Sequence, residues 1–227
     1  MSTNISLGWT KEGTAGYALD ANDLMFLPRG VRQTSTYVCV VWNAVDGLFI
    51  ATGGSVTATF ATSGGAFNKG YANLSCNNLS LLGSNIPSSN TTIRGWVQPN
   101  PTNNSSGIFF GMRDVIPTES QQKHIGLILT GTTLQLVKYY YYGAHTVLLS
   151  MTMTADFHYI SLIRNGTVIT VFIDGVLSGT YTSALLTGTG GYAQILVDYG
   201  GGFRFTEIQV SKVARDGSFV PGNLLGF

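Results

Sequence analysis

Charge is scarce in this chain. Of 227 residues, 12 are Lys or Arg and 11 are Asp or Glu, a charged fraction of 10% with a net charge of +1. No run of Lys or Arg occurs, so the basic patch that neutralises phosphates is missing and nucleic acid is not expected as a partner. No stretch of about eighteen apolar residues occurs, so no membrane-inserting helix is expected. The opening residues Met1 to Ser6 are polar and lack a basic and then an apolar region, so no secretory signal is expected. Few surface charges also remove a solubility device. Part of the apolar surface is therefore expected to be covered by a partner or by self-association.

Reactive groups are equally few. The two cysteines, Cys39 and Cys76, lie in strand-like segments and read as small buried thiols. The three histidines, His124, His145 and His158, have no cysteine at metal-ligand spacing and no Gly-x-Ser-x-Gly elbow nearby. Glutamate occurs only at positions 12, 119 and 207. Glycoside hydrolysis needs two carboxylates converging on one cleft, about 5 to 9 Å apart. No clustered pair exists here, and Asp198 with Glu207 is the pair to check. Asp114, Asp156, Asp174, Asp198 and Asp216 fall in turns or at strand ends, with no spacing that selects a calcium-binding set. Phosphate-loop and dinucleotide fingerprints are absent. These readings point to a protein that is not an enzyme and has no cofactor or metal.

What the chain has is glycine and aromatics: 29 Gly, 12 Phe, 11 Tyr and 3 Trp, with 44% hydrophobic residues. A disordered chain would lack the aromatics. Period-2 alternation broken by turn residues recurs along the chain, whereas no helical period of useful length does, which is the pattern of an all-β sandwich. Strands are expected over 37–41, 48–52, 55–62, 70–75, 79–82, 91–98, 107–113, 123–129, 133–141, 145–153, 157–164, 167–174, 177–182, 192–197 and 203–210. Asn22 to Phe26 suggests a short helical turn. Asn165-Gly166 and Asp174-Gly175 supply the positive φ of type I′ hairpin turns. Asp174 is expected to accept backbone hydrogen bonds in its turn. Ile160 and Leu162 are expected to share a face with Val168, Thr170 and Phe172.

Three segments carry a family resemblance. Phe157 to Thr180, FHYISLIRNGTVITVFIDGVLSGT, has an aromatic-His start, an apolar strand, an Asn-Gly turn, a second strand and Ile-Asp-Gly. This order resembles the core hairpin of laminin-G-like, concanavalin A-type jelly rolls. Thr92 to Pro99 and Phe205 to Pro221 are similar to an early core strand with its Trp and to the last strand with its closing tail. The resemblance spans about residues 64–227. It implies a laminin-G-like jelly-roll β-sandwich over 63–227, preceded by a β-rich N-terminal extension over 1–62 that either docks on a neighbour or adds strands to the sandwich. It also implies that Trp96 is a buried tryptophan and His158 a packed, hydrogen-bonded strand residue. Modules of this kind behind a short, signal-less N-terminus resemble virion parts, such as phage tail, fibre or capsid-surface proteins. The fold itself hosts binding modules, enzymes and structural parts alike.

Tyr139, Tyr140, Tyr141 and Tyr142 form an unbroken run. On a strand, alternate members face opposite sides, so one pair is left partly exposed. Exposed Tyr offers a flat apolar face to a sugar ring and a hydroxyl for hydrogen bonding. The expectation is a non-enzymatic, homo-oligomeric virion surface protein that binds a glycan or host receptor through this run. A particle-building protein that contacts only neighbouring virion subunits is a second reading, and a glycoside hydrolase using Asp198 and Glu207 a minor third.

Overall fold

The structure, a computed structural model, describes residues 23–35, 38–43, 47–52, 56–61, 63–69, 71–76, 79–82, 89–99, 107–114, 124–139, 145–183, 191–197 and 203–222. Side chains are described for 61, 63–69, 89–99, 110–112, 125–138, 145–183 and 204–222. The described residues are almost wholly β. In chain order the strands are β1 (Asp23–Ser35), β2 (Val38–Asn43), β3 (Gly47–Thr52), β4 (Val56–Ala61), β5 (Tyr71–Cys76) and β6 (Leu79–Leu82). They continue with β7 (Asn90–Pro99), β8 (Gly107–Asp114), β9 (His124–Thr130), β10 (Thr133–Tyr139) and β11 (His145–Thr152). The last are β12 (His158–Asn165), β13 (Val168–Ile173), β14 (Val176–Thr182), β15 (Gly191–Val197) and β16 (Phe203–Ser211). Among the described residues a 3-10 turn spans Ala66–Asn68.

Strand positions follow the sequence expectation with one clear exception. The helical turn expected at Asn22 to Phe26 is instead the start of β1. Pro28 and Gly30 obscure the strand signal there. They fall where the β1–β2 register slips between Leu27 and Arg32, an irregularity that tolerates a residue without an N–H donor.

Antiparallel ladders run from β11 through β10, β9, β8, β15, β6, β3, β2, β1, β16, β7 and β12 to β13 and β14, while β4 joins through β5 to β16. Among the N-terminal strands, β1 pairs with both β2 and β16, and β3 meets β6 at one position. The path doubles back on itself to make a two-layer β-sandwich. One layer contributes Phe110, Met112, Ile125, Leu127, Leu129, Leu134, Leu136 and Met151 to the core. The other contributes Ile93, Val97, Ile160, Leu162, Ile169, Val171, Phe205, Ile208 and Val210. Each such side chain contributes about 1.5–3 kcal/mol by leaving water, and this common core holds the layers face to face. The two ends of the path also approach each other. A Cβ at Gly179 of β14 would lie 2.7 Å from Leu149 Cδ1 of β11. Both strands carry a register irregularity beside that contact, which bends one edge toward the other.

The β12–β13 hairpin corrects the sequence reading. Asn165 pairs with Val168, so the loop is Gly166-Thr167, with positive φ at Gly166 alone. That is the pattern of a type II′ turn, which places Gly at the first central position. The register then sets Leu162 opposite Val171 and Ile160 opposite Ile173. The core residues of β13 are therefore Ile169 and Val171, with Ile173 packed against them. Val168, Thr170 and Phe172 face the other way. At the far end of β13, Asp174 and Gly175 both have positive φ, as a type I′ turn requires.

Candidate functional site

The tyrosine run begins at the end of β10. Tyr139 pairs with His145 of β11 on one side and His124 of β9 on the other. Its side chain, and all of Tyr140, Tyr141 and Tyr142, lie outside the described residues. So do Asp198 and the side chains of His124, Asp114, Cys39 and Cys76. What is described is the neighbourhood: β11 ends one layer, and His145, Thr146 and Val147 at its start are exposed. Val147, at 43% exposure, joins Val176 and Leu177 at the turn into β14 among the exposed large hydrophobic residues.

Two polar constellations occur among the described residues. The first locks one rim of the sandwich. His158 Nδ1 lies 2.6 Å from Asp174 Oδ2, and the Tyr159 N–H donates to Asp174 Oδ1 at 2.8 Å. The backbone reciprocates, with the Asp174 N–H donating to the Tyr159 carbonyl. On its other side, His158 Nε2 is 2.9 Å from the Thr154 hydroxyl, which also donates to Asp156 Oδ2 at 2.9 Å. Hydroxyl, imidazole and carboxylate follow one another here as in a hydrolase triad. The hydroxyl has one proton, however, and here it is directed to Asp156. A base that is to activate Thr154 has to compete for that proton. The arrangement is better suited to tying the start of β12 to the β13–β14 turn, as expected for Asp174 and for a packed His158.

The second constellation lies on the outer face of the other layer. Along β7, β12 and β16 the residues facing away from the core form two cross-strand rows. One row is Tyr159, Trp96 and Thr206, and the other is Ser161, Arg94 and Gln209. A sheet face turned away from the core is ordinarily wet, yet all six are buried, with Arg94 at 4% and Trp96 at 9% exposure. Trp96 is thus buried as expected, but against Phe67 and Tyr159, edge to face at 5.1 and 5.3 Å, and not between the layers. The cover is the segment after β16. The Thr92 hydroxyl donates to the Val213 carbonyl and accepts from the Arg215 N–H. Arg94 Nε donates to Gln209 Oε1 at 2.8 Å, Arg94 Nη1 donates to the Asp216 carbonyl at 3.2 Å, and the guanidinium stacks on Phe219. Gly217 fits against the ring of Phe172.

This strap carries an acid-sensitive clasp. The Asp216 carboxylate accepts from the N–H and hydroxyl of Ser218. Those bonds, with a smaller contribution from the Arg94 charge, hold its pKa below the ordinary 3.8 against a slight opposing desolvation. A depressed carboxylate pKa adds stability that is complete above the ordinary value and is lost as pH falls through the lower folded-state value. Asp216→Asn should therefore be less stable than the parent near neutrality, with the difference vanishing as the pH falls below the ordinary carboxylate value and through the lower folded-state one. Urea unfolding across that range measures it, and a difference that persists at the lowest pH would refute the assignment.

Glu207, half of the carboxylate pair to be checked, is fully buried at an irregularity of β16. Sequence reading did not single out Arg94, Gln209 or Thr92. The available signal was polar residues at alternate positions of strands whose other face is apolar, continuing into a turn-rich tail.

No family profile and no curated protein matches the sequence. Among solved structures, the fold is similar to Trypanosoma rangeli sialidase. In its complex with 2,3-difluoro-KDN the TM-score is 0.56 at 11% identity, over 92% of this chain and 33% of that one. In its complex with the inhibitor DANA the TM-score is 0.55 at 11% identity, over 94% and 36%. The binding domain of Paraclostridial Mosquitocidal Protein 1 aligns over 84% of this chain and 51% of that one, with a TM-score of 0.49 and 11% identity. The chain spans about a third of the sialidase and half of the toxin domain. At such identities the likeness to the sialidase is one of fold alone, that of an all-β sandwich.

Proposed function

We propose that this protein is a non-enzymatic recognition module that binds a glycan or another cell-surface receptor through the region of Tyr139 to Tyr142. The observation that supports this reading is the Tyr139–His145 register. Tyr139, the first of the run, ends β10 opposite His145, and His145, Thr146 and Val147 at the start of the outermost strand β11 face solvent. Aromatic faces beside polar groups at an exposed rim suit stacking on sugar rings or on apolar side chains. We propose further that it acts on a virion surface as a homo-oligomer; the virion context rests on the resemblance to phage and viral modules alone. Exposed Val147, Val176 and Leu177 at strand edges support a second role for the same flank, contact with neighbouring subunits.

The test is binding of the purified protein to a glycan array and to candidate host cells, beside a Tyr140→Ala/Tyr142→Ala variant. Saturable binding that falls at least about tenfold in the variant, with unchanged fold and oligomeric state, is the expected result. Equal binding by both proteins would remove the tyrosine run from the site. Absence of binding from a well-folded oligomer would favour the particle-building role.

A further inference from the structure

Burial in the layer beneath the strap leaves several polar atoms without hydrogen-bond partners. Among the described residues, Trp96 Nε1, Ser161 Oγ, Thr206 Oγ1 and Gln209 Nε2 are inaccessible and find no partner, and they come from three neighbouring strands within the same two rows. One such atom costs about 1–3 kcal/mol, and native folds rarely leave several together unexplained. These four atoms are donors or can be, although the buried carboxylate of Glu207, between Thr206 and Gln209 on β16, is an acceptor. Indole and amide N–H groups only donate, and the two hydroxyls can donate.

At the centre of this layer is a cation. Arg94 is 4% exposed, and its hydrogen bonds go to an amide oxygen and a backbone carbonyl, both neutral. The Asp216 carboxylate, the nearby acid on the strap, is held at the surface by Ser218. A buried guanidinium with no carboxylate at hydrogen-bonding distance among the described residues is costly, and the cost is relieved by an anion that brings its own acceptors.

We propose that this layer is a binding site for an oxyanion, a carboxylate or sulfate group, with the segment 212–221 as its lid. The strap already presents oxygen to this face, through the carbonyls of Val213 and Asp216 on Thr92 and Arg94. An entering oxyanion takes the place of the Asp216 carbonyl on Arg94 and satisfies the indole, amide and hydroxyl donors around it. The proposal does not depend on the tyrosine run.

Thermal unfolding in sulfate, in acetate and in chloride at matched ionic strength tests the proposal. Sulfate or acetate should raise the midpoint saturably above chloride, and the better of the two identifies the preferred oxyanion. Arg94→Gln should abolish the difference. Because that change also loosens the strap, the deciding variant is Ser161→Ala/Thr206→Val, which removes two hydroxyls with little change of shape. It should weaken the apparent Kd by about tenfold or more, as expected for loss of one or two charge-assisted bonds. Equal midpoints in all three salts, or an unchanged apparent Kd in the double variant, would overturn the site.

Discussion

Gly95→Ala is expected to destabilise the sandwich by about 3 kcal/mol or more, a large effect for a single added methyl group. Gly95 sits in the middle of β7, where glycine is ordinarily unfavourable because it packs nothing. The reason lies in the partner strand. Trp96 pairs with Thr206 and Arg94 with Gln209, so both Glu207 and Ile208 stand opposite Gly95. The extra residue forms a bulge, and Glu207 takes a φ of +51°, a conformation that side-chain-bearing residues seldom adopt. A Cβ at position 95 would lie 2.6 Å from Ile208 Cδ1, 2.9 Å from the Glu207 carbonyl oxygen and 3.0 Å from Ile208 Cα. The side-chain carbon can rotate away, but the two backbone atoms belong to the central ladder and cannot. Gly131→Ala is the control. Its φ is +56° with no atom within 4 Å of a built Cβ, so only the turn conformation is penalised, at about 1 kcal/mol. Urea unfolding of both variants should separate them clearly. If Gly95→Ala is no worse than Gly131→Ala, the close approach across the bulge does not exist in solution.

The bulge shows how far the sequence could be read. Strand positions were legible because alternation and turn residues are local signals, and β7, β12 and β16 stand within a residue or two of where the pattern places them. Register was less legible. Whether Asn-Gly closes its hairpin at 165–166 or at 166–167 is a one-residue choice that no propensity decides, yet it exchanges the inner and outer faces of β13. The strap was legible as a tail but not as a cover. Its hold on the sheet depends on Thr92 and Arg94, more than a hundred residues earlier in the chain. Such pairings are properties of the folded topology. The polar layer was missed for the same reason, since Arg94, Ser161 and Gln209 each look like ordinary solvent-facing strand residues until the tail closes over them.

Asp174→Ala is the second large effect expected, a loss of about 2–3 kcal/mol at neutral pH. Three separate penalties combine. The Tyr159 N–H loses its acceptor, and His158 Nδ1 loses a carboxylate at 2.6 Å. In addition, alanine must adopt the left-handed conformation that Asp174 holds at a φ of +51°, where Asp and Asn are tolerated better. The Asp174 side chain is 45% exposed, so solvent screens part of the histidine interaction. Asp174→Asn separates the contributions. It retains an acceptor for Tyr159 and tolerates the turn. It replaces the carboxylate oxygen facing His158 Nδ1 by an amide NH2, however, which the imidazole can meet only by presenting Nδ1 as acceptor. The change should therefore cost about 1 kcal/mol. A double-mutant cycle with His158→Ala isolates that pairing, and a coupling near zero would show that the histidine only packs at the rim. The cycle also bears on function, since His158 starts the strand that carries Tyr159 and Ser161 beneath the strap. If the rim lock sets the position of β12, Asp174→Ala should weaken oxyanion binding as well as the fold, whereas Asp174→Asn should leave the binding intact. A chemical role for the Thr154–His158–Asp174 series would show the reverse, with Asp174→Asn stable but altered in reactivity toward an acylating probe.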